Sequence, residues 1–223
     1  PRTRYFWCVS VKTDLNETIK SDITYFETGK IDEKWTADWI TSSISQTEPQ
    51  YFRKTFKIDG KASLSQARVY ISALGLYELY INNEKVSKEH FTPYCTGYKY
   101  WLQYQTYDVS KYLQEGENVI GVLVGDGWAK GHFWFSDEPA DMTMESNELG
   151  YPVNITIDKY LLICELRMND KVLVVSDNSW TCHLSPVRRS NFYDGEVYDC
   201  NYEIPDWASP QYVEKDWEKA VIV

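Results

Sequence analysis

The sequence predicts an all-β protein folded as an antiparallel sandwich, and three observations carry that reading. Short runs of alternating apolar and polar residues recur along most of the chain, turn residues punctuate them at close intervals, and long helices are missing throughout. So many short strands need a second sheet to cover the first. With 223 residues, the chain can bury roughly 70% of its unfolded surface, so its core needs no disulfide or metal staple.

In chain order, residues 5–12 (YFWCVSVK) and 23–28 (ITYFET) read as two strands joined by a polar stretch, and Gly29 ends the pattern. Residues 30–50 read as an irregular connector whose Trp35 and Trp39 pack onto a neighbouring body. In residues 51–58 (YFRKTFKI), Phe52, Phe56 and Ile58 share one face and Tyr51, Arg53, Thr55 and Lys57 the other. Residues 67–73 (ARVYISA) place Ala67, Val69, Ile71 and Ala73 inward. Gly75 permits a bend, and residues 76–82 run into an Asn82-Asn83 hairpin turn, because Asn tolerates the positive φ that tight turns demand. Residues 103–109 form the next strand, and SKYLQEG forms a single helical or 3₁₀ turn closed by Gly116. The apolar run 118–124 (NVIGVLV) reads as a strand buried on both faces. Residues 153–158, 160–168 and 171–176 complete a meander with Asn169-Asp170 as a turn.

Composition excludes several function classes. Lys+Arg 23 against Asp+Glu 33 gives a net charge of −10. Counterion release on a phosphate backbone needs a basic surface, so nucleic acid and anionic membrane are not expected partners. The apolar runs are far too short to cross a bilayer as helices. Eighteen Tyr and nine Trp stand against eight Phe, so most rings carry a polar edge suited to sheets and to half-wet sugar-holding surfaces. The five cysteines, at 8, 95, 164, 182 and 200, are odd in number and lack CxxC spacing, which indicates free thiols rather than zinc or a disulfide framework. Free thiols fit a reducing, cytoplasmic compartment most simply, with a secreted protein as the alternative.

The densest chemical candidate is Gly125-Asp126-Gly127-Trp128-Ala129-Lys130-Gly131, directly after the buried strand. Its glycines let the backbone turn sharply and bring Trp128 out of the sheet, where a ring beside a carboxylate can stack on a sugar face. The competing reading is a strand-to-loop turn whose tryptophan fills a domain seam. The segment lacks both P-loop and GxGxxG spacing. A second candidate spans Tyr193, Asp194, Gly195, Glu196, Val197, Tyr198 and Asp199. Asp194 and Glu196 lie two apart on one strand and cannot by themselves flank a glycosidic bond, so they read as acceptors for backbone N–H groups or for Arg188 and Arg189 rather than as an acid–base pair. His90, His132 and His183 are scattered without metal-ligand spacing, and no serine sits in a GxSxG elbow. The acidic stretch 137–148, just after Trp128 and Trp134, reads as a solvated loop and as a wall for a ligand groove.

At this point the residues identify a family. Residues 67–86 (ARVYISALGLYELYINNEKV) and 91–131, which contain YQTYDV and GDGW, resemble the N-terminal β-sandwich region of bacterial α-L-rhamnosidases. NFYDGEVYDCNYEIPDW resembles that family's exit from this domain, and YFWCVSV with ITYFETGKIDEKWTADWI resembles the end of a preceding fibronectin-type domain and its linker. The resemblance implies a jelly-roll-like sandwich over 51–207, preceded by the last strands of an incomplete fibronectin-type domain over 1–29 and a linker over 30–50. Residues 208–223 would open a following domain or form a tail.

Enzymes of this family remove terminal α-L-rhamnose with inversion, using acidic residues on a separate (α/α)₆ barrel downstream of the matched region. The expectation is therefore a non-catalytic accessory domain whose partners are rhamnose-containing saccharides and the enzyme's own catalytic barrel, with a purely structural spacer as the alternative. Some members use such a sandwich as a calcium-dependent rhamnose-binding module. By that resemblance Trp128 is the sugar-contacting ring with Asp126 beside it, and Trp134, Tyr98 and Trp101 complete the candidate carbohydrate-binding set. Relatives often carry Tyr-Asp-Asn or similar where this chain has Tyr98-Lys99-Tyr100-Trp101. A lysine opposes the oxygen shell that calcium needs, so no calcium and no other cofactor is expected here.

Overall fold

The computed structural model describes residues 1–59, 66–98, 100–131, 159–169 and 171–223. Lys99, His132, Trp134, the acidic stretch 137–148 and the strand expected at 153–158 lie outside the described residues. The chain divides into two compact units, Pro1–Trp35 and Thr36–Val223.

In the first unit, β1 (Arg4–Trp7) pairs antiparallel with β4 (Thr24–Glu27), and β2 (Ser10–Lys12) with β3 (Thr18–Lys20). The run read as one strand is interrupted at Cys8-Val9, where the Val9 amide donates to Ser21 Oγ at 2.9 Å. Cross-strand pairs hold the ribbon: Tyr5 stacks on Phe26 at 5.4 Å, and the Arg4 guanidinium sits 4.2 Å over the Tyr25 ring.

The second unit is an antiparallel β-sandwich. Its strands are β5 (Ile40–Thr41), β6 (Gln50–Ile58), β7 (Ala67–Leu74), β8 (Leu76–Ile81), β9 (Glu84–Lys85), β10 (Gln105–Asp108) and β11 (Gly116–Gly125). After a single helical turn, α1 (Gly127–Lys130), come β12 (Leu161–Met168), β13 (Lys171–Val175), β14 (Thr181–Leu184), β15 (Val187–Asn191), β16 (Gly195–Tyr198), β17 (Glu218–Lys219) and β18 (Val221–Ile222). One sheet runs β10-β7-β12-β5-β18, and β13 also pairs with β12; the other runs β17-β14-β6-β11-β8-β9. β15 and β16 form a separate hairpin.

Alternation builds the core between the sheets. Ala67, Val69, Ile71 and Ala73 of β7 and Leu162, Cys164 and Leu166 of β12 are buried on one side. Phe52 of β6, Tyr77, Leu79 and Ile81 of β8 and Ile120, Val122 and Val124 of β11 face them in the same cluster, with Trp180 fully enclosed. The Trp180 indole N–H donates to Val175 O at 2.7 Å, so the largest buried ring has its polar atom satisfied. Asn82 and Asn83 adopt φ of 50° and 70°, as a tight hairpin requires. Asn82 is also a polar hub, since its Oδ1 accepts from the Val119 amide at 2.8 Å and its Nδ2 donates to Tyr112 O at 2.9 Å.

The outer face of β6 differs from a simple solvent face. Tyr51 and Arg53 are buried because residues following β16 cross over them, making a second small core of Tyr51, Val119, Trp207 and Ala208. Arg53 pins this segment by donating through Nε to Trp207 O at 2.9 Å and through a terminal nitrogen to Ser209 O at 3.0 Å, and it ion-pairs with Glu214. Trp207 fits because Gly121 lies beneath it: a Cβ there would come within 2.6 Å of the indole. Beyond that crossing, β17 pairs with β14 and β18 with β5, so the final residues contribute a short strand to each sheet. Ile40 of β5 is fully buried, which gives the connector region a place in the core.

Candidate binding surface

The Gly125–Gly131 segment leaves the end of β11 and is wedged between β8 and β15. Gly127 has φ +56°, and a Cβ on it would meet Leu76 Cγ at 2.4 Å, so neither the conformation nor the space admits a side chain. At Gly131 a Cβ would lie 2.4 Å from Asn191 Nδ2. The Asp126 amide donates to Ser190 Oγ at 3.1 Å, tying the turn to β15.

This tether presents Trp128 at one end of the sandwich. Its ring partners among the described residues are Phe91, edge-on at 6.2 Å, and Phe192, at 4.4 Å. Phe91 and Phe192 are also edge-on to each other at 5.3 Å, and Phe192 meets Tyr193 at 5.3 Å. Phe91 is 52% and Phe192 44% exposed, so the cluster has an open aromatic surface. Phe91 is held by its neighbour: Thr92 O accepts from the Tyr77 amide at 2.8 Å, and Thr92 Oγ1 donates to Tyr77 O at 3.0 Å.

Asp126 does not stand free beside the indole. Its Oδ1 accepts from the Tyr160 hydroxyl at 2.5 Å, and burial pushes its carboxyl above the usual aspartate range, against the lowering effects of that bond and of Lys130 and Arg189. Lys130 Nζ lies 4.6 Å over the Tyr160 ring. Tyr98 is half-buried and Trp101 is 58% exposed, both in the loop after Pro93, and neither makes a ring contact with Trp128 among the described residues. Trp134 lies outside the described residues. Asp194 takes Arg189 at 3.0 Å, while Arg188 pairs with Glu48. The first pair closes the β15–β16 hairpin on itself, and the second ties it to the residues before β6. Among the described residues no three His, Cys, Asp or Glu side chains gather in a metal-holding group.

Beside the aromatic cluster lies a groove of about 470 Å³ on the outer face of the β6–β11–β8 sheet, and Phe91 borders both. Leu123 and Gly125 line it from β11, Glu78 and Tyr80 from β8, and Glu196 and Tyr198 from β16. Sequence reasoning missed this feature, because the residues that line it come from several strands far apart in the chain.

The family model for the α-L-rhamnosidase N-terminal domain matches residues 62–223. The chain belongs to that family. Two similar curated proteins are α-L-rhamnosidases of Formosa agariphila, 30% identical over 97% and 96% of this chain and 24% of each relative's length. Among solved structures, an α-L-rhamnosidase from Dictyoglomus thermophilum is 30% identical and covers 100% of this chain and 25% of that one, with TM-score 0.78. An Aspergillus terreus α-L-rhamnosidase is 31% identical over 95% of this chain and 24% of that one, with TM-score 0.80. This member of the α-L-rhamnosidase N-terminal domain family thus spans about a quarter of the length of the relatives it matches.

Proposed function

We propose that this α-L-rhamnosidase N-terminal domain is a non-catalytic accessory module of a rhamnoside-cleaving enzyme, and that its Phe91–Trp128–Phe192 cluster contacts rhamnose-bearing glycosides. The observation that carries the proposal is the cluster itself: three rings within 6.2 Å of one another, two of them exposed, with Trp128 on a turn tethered to the sheet by glycine packing. A sugar presents a flat patch of C–H groups that an aromatic face covers well, and a rigid mount limits the entropy lost on binding. Asp126 then acts through the turn, fixing the base of Trp128 by its bond to Tyr160, while the sugar meets the rings. The partners on this reading are rhamnose-containing saccharides and the enzyme's own catalytic barrel.

Titration of the chain with L-rhamnose, followed by tryptophan fluorescence, tests the proposal. A saturable change that disappears in Trp128→Ala is expected; an unchanged signal in the parent chain would leave only the spacer role. That second reading has one observation in its favour, the commitment of Asp126 to Tyr160, and it predicts that Trp128 becomes buried in the assembled full-length enzyme.

A further inference from the structure

We infer that the groove on the outer face of the β6–β11–β8 sheet is a docking site for an extended, arginine-bearing segment of a partner protein, whose guanidinium enters the groove and pairs with Glu196. The inference is independent of the carbohydrate reading above.

The groove carries more negative charge than its surroundings compensate. Glu78, Glu89 and Glu196 line it, and none of its described lining residues is a lysine or arginine. Glu78 pairs with Lys85 and accepts from the Tyr80 hydroxyl at 2.8 Å. Glu89 accepts from the Ser87 and Tyr94 hydroxyls at 3.3 and 3.4 Å and meets no cation among the described residues. Glu196, exposed on β16, has neither a hydrogen-bond nor an ion-pair partner among the described residues. Three carboxylates against one ammonium leave the cleft negative, and low-dielectric walls focus that field. It is felt at the buried wall, where burial first, then Tyr198, Glu203 and Glu78, push the Tyr51 phenol upward.

The way that charge is spread selects the cation. Among the described residues no three His, Cys, Asp or Glu side chains gather into a metal-holding group, so a compact ion is not matched. Between the carboxylates the walls are aromatic, with Tyr51, Tyr80, Phe91 and Tyr198. A guanidinium is planar and weakly hydrated, stacks on such rings and keeps its donors for carboxylates, whereas an ammonium remains a hydrated point charge. The neutral phenols accept hydrogen bonds as well as donate them, which adds partners for the guanidinium donors. An open strand edge identifies the carrier. β16, which supplies Glu196 and Tyr198, is exposed along its length and pairs with β15 alone among the described residues, so its other edge offers backbone donors and acceptors. An extended peptide can add along that edge and set a side chain in the groove. A second copy is disfavoured as the source, because the chain's net charge of −10 repels its own kind.

The test records amide chemical shifts while the chain is titrated separately with a blocked glycine–arginine–glycine tripeptide, its lysine and citrulline counterparts, and methyl α-L-rhamnoside. The arginine peptide should shift the Tyr80, Leu123, Glu196 and Val197 amides. The lysine peptide should bind more weakly, and the citrulline peptide, which keeps the shape and loses the charge, should leave those amides unmoved. Glu196→Gln, at an exposed position outside the core, should weaken the arginine peptide about fivefold, and added salt should weaken it as well. The inference is overturned by equal binding of the arginine and citrulline peptides, by a lysine peptide that binds as tightly as arginine, by unaltered affinity in Glu196→Gln, by the rhamnoside moving the groove amides in place of the arginine peptide, or by no groove shift with any probe.

Discussion

Asp126 shows how much a single buried carboxylate can decide. In the sequence it stands beside a tryptophan in a glycine-rich turn, and chain proximity suggests a sugar ligand. The structure gives its Oδ1 to Tyr160, a residue 34 positions away that no local pattern connects to it. Its carboxyl is pushed upward by burial, so the fold favours the protonated form. The stability that protonation confers is fully present below the unfolded aspartate range and is lost as pH rises through the raised folded value. Asp126→Asn carries no such charge, so the melting temperature of the variant relative to the parent should be higher at pH 7 than at pH 3, as calorimetry at the two pH values would read. Gly121 makes the complementary point about space. Its substitution by Ala would bring a Cβ within 2.6 Å of Trp207 and 2.9 Å of Ala208, and urea unfolding should show a loss of about 1–3 kcal/mol. In the sequence Gly121 is only a small residue inside an apolar strand, because the ring above it arrives from 86 positions downstream.

Elements were legible wherever the pattern was local. The alternation in β7 and β8, the Asn82-Asn83 turn and the doubly buried β11 follow from side-chain period and turn chemistry, and the structure reproduces them. The outer face of β6 was not legible, since alternation says which residues share a face and nothing about what later covers it. Arg53 is the clearest instance: a charge on the polar side of an alternating strand becomes a buried clamp for two carbonyls and Glu214. Arg53→Ala would strand those acceptors and should cost about 2–4 kcal/mol in urea unfolding. The loss should be accompanied by increased exposure of the Trp207 indole to a fluorescence quencher. The β15–β16 hairpin was legible in part: Arg189 holds Asp194 as expected, whereas Arg188 turns to Glu48, more than a hundred positions upstream, instead of to Glu196.

At the largest scale, the second unit encloses its main apolar core between two antiparallel sheets and carries the aromatic end at Trp128 with the groove that Phe91 shares with it. The sandwich class and the family resemblance could both be read from the sequence, because strand periodicity and long ordered motifs survive without coordinates. The groove could not, since it is assembled from β6, β8, β11 and β16. The proposed division of labour is that this domain holds or orients a glycoside whose cleavage belongs to another part of the enzyme. A calorimetric titration with nitrophenyl α-L-rhamnoside, with released nitrophenol read in the same sample, tests that division most directly. Saturable binding heat without nitrophenol release is the predicted result; nitrophenol released by this chain alone, or no binding heat, would contradict it.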